Sequence, residues 1–343
     1  MPSSRARQRR ARENRQQLHN EQQKANPSPR LHNPYDAETV LLPRISLGQL
    51  RLRHRARKAD IITSDLRRRY REGKFKTIAH EPDKHTLIYG FDGAILGYRI
   101  PAETPQYNQS LTDAVQALSE DARLRTSHKK QGSAYRGDYI SRHYCVWAAY
   151  SKEPFLSADF QKDGVSAQEF MDGTQELWDR TTRHFETLFP SAYKEAVEHP
   201  LPEGLAPLAG AFMGCVVNVQ KDGSSVETQI HCDSKERPFV PSCLCPIGNF
   251  RGGNLILWDL QVVVELKPGD LFFFYDSIIY HSNEEVIEGI RHSIVAFTQQ
   301  NMWDYWRRKA GKEDKKMEVL KTRKKQALKK KVAKEKEKSK KSR

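Results

Sequence analysis

The spacing of hydrophobic residues along the chain changes character at about Gly210. Before that point apolar positions recur every three or four residues, the period of a helix with one buried face. Residues 110–122 read as a short helix, and a longer one is expected from Ser166. There Ser166-Ala-Gln-Glu169 has the form of a capping box, with Val165 and Phe170 at the staple positions. Phe170, Leu177, Trp178, Thr181, Phe185 and Leu188 continue the stripe until Pro190 marks an end. That stripe is core packing and carries no functional meaning. Further upstream, Thr86-Leu-Ile-Tyr-Gly-Phe and Ala94-Ile-Leu-Gly-Tyr-Arg-Ile flank Asp92-Gly93, a dipeptide suited to a type I′ hairpin turn. After Gly210 the runs become short, β-branched or aromatic: 214–219, 226–230, 242–245, 254–258, 262–266, 271–275 and 293–298. Lys221-Asp-Gly-Ser, Arg251-Gly-Gly and Lys267-Pro-Gly-Asp separate them as turns. Strands this short and this closely spaced imply a sandwich or barrel, with the earlier helices outside it as buttresses. Trp303 and Trp306 close the fold.

Charge changes the picture at both ends. Of the formal net +15 on 343 residues, residues 1–30 carry 8 Lys/Arg against 2 Glu, and residues 309–343 carry 17 Lys/Arg against 5 Asp/Glu. The stretch between them sums to −3, so the chain is a slightly acidic body with two basic tails. The tails are expected to be disordered or, for the Lys-rich one, helical. Such tails attract polyanions through counterion release, and equally they serve nuclear import or solubility. A second basic stretch, 51–76, includes Arg51, Arg53, Arg67, Arg68, Arg69 and Arg71; it suits contact with nucleic acid or a solvated helix face. No apolar run approaches the ~20 residues of a membrane span, and no secretory h-region is present in the first 30 residues. Five cysteines without regular spacing suggest reduced thiols of the cytosol or nucleus, and Cys243-x-Cys245 suits buried strand positions better than zinc.

The β-rich part holds one compact metal-type cluster, His231-Cys-Asp233. Residues two apart on an extended segment share a face, so this imidazole and carboxylate can converge on a cation while Cys232 points elsewhere. His281 follows 48 residues after Asp233 and offers a third ligand. Two imidazoles and one carboxylate leave open coordination positions, the arrangement of non-haem iron(II) oxygenases. Ten residues after His281 comes Arg291, which can pair with a dicarboxylate through two parallel bonds, and Ser293 can add a hydroxyl. A His-x-Asp pair alone is more often an ordinary surface or core pair, as a lone His281 or Arg291 would be. Their order within a run of short strands is the signal. A metal-assisted hydrolase fits poorly, because no second carboxylate cluster is apparent.

His231-x-Asp233, His281 and Arg291-x-Ser293 on short strands resemble the double-stranded β-helix of the Fe(II)/2-oxoglutarate-dependent dioxygenases. Segment 231–300 is similar in particular to the TET/JBP-like oxygenase domains found in many copies in fungal genomes. Gly252-Gly-Asn-Leu-Ile-Leu-Trp-Asp-Leu260, Leu266-Lys-Pro-Gly-Asp270, Tyr280-His-Ser-Asn283 and Arg291-His-Ser-Ile-Val-Ala-Phe-Thr-Gln299 carry that resemblance. It implies an α+β chain with a double-stranded β-helix (jelly-roll) core at about 210–300, inside a dioxygenase domain at 85–308. Residues 31–84 are then a basic lead-in, and 1–30 and 309–343 the tails. It further implies that His231, Asp233 and His281 bind Fe(2+), and that Arg291 and Ser293 hold the distal carboxylate of 2-oxoglutarate. Asn218 is placed near the co-substrate, a ladder-end hydrogen bond being the alternative. O2 is the second co-substrate, with ascorbate helpful in vitro. Where the family tends to carry Asn three residues after the acid, this chain has Glu236. The substrate expected is a methylated base in DNA, 5-methylcytosine first, flipped out of the stack. A prolyl or lysyl side chain of a protein is the alternative, and a catalytically dead nucleic-acid scaffold is a third reading. Nucleic acid would be reached through the basic tails, and a nuclear or cytoplasmic monomer without membrane association is expected.

Overall fold

A computed structural model of the chain describes residues 31–56, 63–120, 139–149, 151–198, 201–220 and 228–309. The tails 1–30 and 310–343, and with them the expectation of disorder or helix there, lie outside the described residues.

The strands named by the hydrophobic runs assemble with earlier ones into two sheets. In the lead-in, β1 (Glu38–Leu42) and β2 (Lys76–Ile78) bracket helices α1 (Leu47–Ala56) and α2 (Ser64–Arg71). The hairpin β3 (Thr86–Gly90) and β4 (Ile95–Ile100) leads to α3 (Pro105–Glu120). Strands β5 (Tyr139–Trp147) and β6 (Phe155–Leu156) then precede four helices, α4 (Ala158–Asp163), α5 (Val165–Gly173), α6 (Gln175–Leu188) and α7 (Pro190–Val197). The remainder is β7 (Gly214–Gln220), β8 (Ser242–Gly252), β9 (Leu255–Leu257), β10 (Val262–Val264), β11 (Leu271–Phe274), β12 (His281–Asn283), β13 (Val286–Phe297) and α8 (Gln300–Lys309). The larger sheet runs β1-β3-β4-β11-β8-β13-β7-β5-β6 and the smaller β12-β9-β10-β2. The molecule is therefore α+β around a large mixed sheet. From β7 onward the chain alternates between the sheets, visiting the smaller one near His231, at β9 and β10, and at β12. The lead-in is built into both, since β1 pairs with β3 and β2 with β10.

Local sequence signals fail at four places. The hairpin forms, but positive φ among described non-glycine residues is confined to Asp36 and Gln261, so Asp92 is not left-handed and the turn is not type I′. Instead the Gly93 N–H donates to the Gly90 carbonyl at 3.0 Å, with Gly93 at φ 72°, a three-residue connection. The Asp92 carboxylate is drawn away to accept the N–H of Leu47 at 3.1 Å. Ser166 does not cap its helix. Gly164, at φ 54°, is the N-cap of α5, and Val165 is 68% exposed, so neither capping box nor staple forms. The stripe is also interrupted at Thr174, whose buried hydroxyl donates to the Phe170 carbonyl at 2.7 Å and competes with the helical ladder. Pro190 ends α6 as expected and then opens α7 at its first turn. Finally, 228–230 is not a strand, and 226–227 lie outside the described residues.

β5 is absent from the sequence-based expectations. Its apolar alternation, Ile140, Tyr144, Val146, is broken by Arg142, which is buried on that same side. Arg142 lies 3.4 Å from the carboxylate of Asp163, which also accepts the Tyr144 hydroxyl at 2.8 Å. A buried ion pair thus occupies a position where the pattern asks for an aliphatic residue. The core stripe of α6 is borne out, with Leu177, Trp178, Thr181, Phe185 and Leu188 buried. Trp303 and Trp306, on the buried side of α8, pack edge to face at 4.9 Å. Cys145, Cys215, Cys243 and Cys245 are free and buried, as strand positions should be.

Candidate metal centre

His231 and His281 meet as a directly opposed backbone pair on neighbouring segments. The His231 N–H donates to the His281 carbonyl at 3.0 Å, and the His281 N–H returns to the His231 carbonyl at 2.8 Å. Opposed residues put their side chains on one face, so the two imidazoles stand together, ring centroids 4.3 Å apart. Asp233, two residues beyond His231, turns to the same side. Its Oδ2 lies 3.9 Å from His231 Nε2 and 3.7 Å from His281 Nε2, and the three donor atoms all lie within 4.8 Å of one another.

This set fits a single cation. Donors each ~2.0–2.2 Å from one ion are separated by at most ~4.4 Å, and the 3.7 and 3.9 Å separations fall inside that span. The tautomers also fit. His231 Nδ1 faces the Gln229 carbonyl at 2.6 Å, and His281 Nδ1 faces the Ile279 carbonyl at 3.0 Å. A carbonyl only accepts, so each Nδ1 carries the proton and each Nε2 presents its lone pair to the cluster. With three protein donors, such an ion keeps positions open for a bidentate co-substrate and a small third ligand.

Side-chain clamps hold the short segments that carry these ligands. Asn283 Oδ1 accepts both the N–H and the hydroxyl of Thr228, tying the start of the His231 segment to β12. Asp233 is held by its own N–H, which donates to the Asp276 carbonyl at 2.9 Å. The residue before His281, Tyr280, donates its N–H to Asp259 at 2.7 Å. Burial pushes the Asp259 carboxyl up to about 6, the cost of desolvating a charge. Ser282, pointing opposite to His281, accepts the indole N–H of Trp258 at 3.0 Å.

The strand register shows what faces this centre. The His281 ring meets the edge of Phe274 at 5.1 Å, so Phe274 on the large sheet looks toward the small one. Phe272 shares that face and lies opposite Leu244, which lies opposite Val295. Val295, Ser293 and Arg291 follow at two-residue spacing, Ser293 opposes Asn218, and Asn218 opposes Ser141. Arg291, Ser293 and Asn218 therefore share the face of the large sheet that looks onto the His-Asp-His cluster. Arg291 is 3% exposed, and burial pushes its guanidinium down to about 10. Its stem passes Gly253 so closely that a Cβ there would sit 2.8 Å from Arg291 Cδ, and Gly253 holds φ 65°. Asn218 Nδ2 donates to Ser293 Oγ at 3.3 Å, a bond between side chains of paired strands.

Glu236, at the position where the sequence departs from the resemblance, accepts the Ser242 hydroxyl at 3.0 Å. Ser242 opposes Phe274, which brings this carboxylate to the rim of the same face. Ser141 was not anticipated, because β5 was not; its only signal is the alternation of polar residues at Ser141 and His143. The residues 272–275 are all buried and Tyr280 is half-buried, so core packing is the reading they keep.

No model of a known protein family matches the chain, and no curated protein matches it. Solved structures do. NgTET1 in complex with 5mC DNA aligns with a TM-score of 0.54 over 78% of this chain and 84% of that one, at 14% identity. The viral collagen prolyl hydroxylase of Paramecium Bursaria Chlorella virus-1, in a 2OG complex, aligns at 0.35 over 59% and 94%, at 10% identity. A 2OG-Fe(II) oxygenase family oxidoreductase from Burkholderia pseudomallei aligns at 0.33 over 56% and 87%, at 17% identity. The chain has the fold of the NgTET1 structure, and at this level the resemblance read from His231-x-Asp233, His281 and Arg291 is borne out.

Proposed function

We propose that the protein is an Fe(II)/2-oxoglutarate-dependent dioxygenase that oxidises a methylated base in DNA, 5-methylcytosine first. The observation that carries the reading is the His231-Asp233-His281 cluster, with both Nε2 lone pairs aimed at one point, across from a buried arginine. The alternation of successive segments between two sheets supports a double-stranded β-helix at 210–300. When bound, the iron and 2-oxoglutarate supply coupled chemistry: decarboxylation of the co-substrate by O2 and hydroxylation of a C–H bond.

The chain's own residues do the positioning. The Gln229 and Ile279 carbonyls fix the two imidazoles as neutral ligands. Arg291, with Ser293 and Asn218 beside it, would hold the distal carboxylate of 2-oxoglutarate; a guanidinium already desolvated forms a stronger charge-assisted pair than an exposed one. Phe272, Phe274, Leu244 and Val295 line the same face and keep water from it. The choice of a DNA base is supported by the fold shared with NgTET1, whose structure contains 5mC DNA, and by the basic tails, which also suit nuclear import. The test is mass spectrometry of nucleosides after a 5-methylcytosine duplex is incubated with the enzyme, Fe(II), 2-oxoglutarate and ascorbate. Oxidised 5-methylcytosine is expected. Succinate formed without any oxidised base would turn the assignment to a protein side chain.

A further inference from the structure

We propose that α1 and α2 form a face that grips a nucleic-acid phosphate backbone on the outer side of the sheet that bears the metal ligands. The inference rests on the proposed substrate class, though not on the oxidation itself. Charge within the body is segregated: residues 31–76 hold 12 Lys/Arg against 5 Asp/Glu, whereas residues 77–308 hold 21 against 31. The basic lead-in therefore contrasts with an acidic domain, and its described helices have specific positions on it.

Helix α2 lies on the outer side of the small sheet. Tyr70 packs on Trp258 at 5.2 Å and on Phe75 at 5.5 Å, and its hydroxyl donates to Glu284 at 2.7 Å, immediately after β12. Leu66 packs into the same cluster, which Ile230 and Tyr280 also touch; these residues adjoin His231 and His281. With its apolar side so fixed, α2 turns Arg67 and Arg71, one helical turn apart, out to solvent. The acids of this segment do not neutralise them, because Asp65 and Glu72 are both bonded to Arg68, and Glu72 also to Lys74.

Helix α1 touches the loop that follows Asp233. Arg51 donates to the Pro238 carbonyl at 3.1 Å and lies over the ring of Phe239 at 4.4 Å, in the loop following Asp233. Arg53 is exposed and within electrostatic reach of Asp259, the carboxylate that holds the Tyr280 N–H. Guanidinium groups on rigid helices match phosphate oxygens in paired bonds, and each such contact adds about 0.9 to the salt slope of binding. A strip that merely keeps the protein soluble would show no such slope.

Binding of the full chain to a labelled 5-methylcytosine duplex is to be measured by anisotropy across a range of sodium chloride concentrations. R67Q/R71Q is expected to flatten the slope by about 2 and to weaken binding on the order of tenfold per lost contact near ~0.1 M salt. R67K/R71K should retain most of the slope. An unchanged slope in R67Q/R71Q, with the whole loss produced by K329Q/K330Q/K331Q in the tail, would overturn the proposal. So would polyglutamate of equal charge competing as well as the duplex, which would make the partner an acidic protein. Base oxidation and 2-oxoglutarate decarboxylation are followed in the same samples. A wild-type chain that binds through these arginines yet oxidises no base sinks the substrate assignment and leaves this surface standing.

Discussion

Ser293 and Asn218 sit in strands of twelve and seven residues, whereas His281 lies in a strand of three and His231 in no strand at all. On the large sheet a side chain is aimed by ladders on both edges, and β13 keeps unbroken register with β8 from Glu288 to Ala296. On the small sheet the ladders are too short for that. Side chains do the aiming instead: Asn283 to Thr228, Asp259 to Tyr280, Ser282 to Trp258. The proposed co-substrate residues thus depend on regular backbone pairing and the metal ligands on a few polar clamps, so the two halves of the site should fail in different ways.

The sharpest break is at the ligands. His231→Ala, Asp233→Ala or His281→Ala is expected to abolish Fe(II) binding and to drop turnover to background, with circular dichroism unchanged. Wild-type rates in all three would refute the assignment. Across the gap, Arg291→Gln should raise the KM for 2-oxoglutarate by about 10- to 100-fold, with kcat far less affected, because a charge-assisted bond is worth ~1.5–3 kcal/mol. Gly253→Ala should do the same more weakly, since the new methyl must displace the Arg291 stem at an unfavourable φ. A fall in kcat with an unmoved KM would place Arg291 elsewhere in the reaction.

The comparison itself is tested by Asn283→Ala against Asn218→Ala. Loss of the Thr228 clamp should weaken Fe(II) binding by about 10- to 100-fold in a titration, as loss of support behind metal ligands does. Asn218→Ala should leave metal affinity alone and act on 2-oxoglutarate. Equal effects of both on the metal would mean that the two sheets do not divide the work.

The smallest effect is one of pH. Burial pushes His184 and His292 down to about 4, below the ordinary 6.5. The unfolded chain then binds protons more tightly, so this stability is complete above about pH 6.5 and is lost as pH falls toward 4. Each should cost about 2 kcal/mol at ~pH 5 in denaturant titrations. For His184→Gln the gap to the parent should narrow as pH falls from ~7 to ~5; a constant gap would deny that His184 is held neutral.

What the sequence by itself determined is what a few neighbouring residues decide. The pleat alone puts His231 and Asp233 on one side, β-branched or aromatic runs alone mark β7, β10 and β11, and glycine-containing stretches alone mark the turns. Strand ends were less legible, since β8 runs on to Gly252 and β13 starts at Val286, both through polar residues that only a paired neighbour keeps extended. The turn at Asp92 and the buried Arg142 on β5 went the other way, because a distant partner outbid the local preference. Only the tertiary structure decided that Arg291 faces His281, which depends on register carried across β13, β8 and β11. It alone decided that a basic helix hydrophobic enough to fold down at Leu66 and Tyr70 lands on the back of the metal-bearing sheet. The physical reason is range: side-chain direction along a strand is set within two residues, whereas which surfaces meet is set by burial summed over the whole chain.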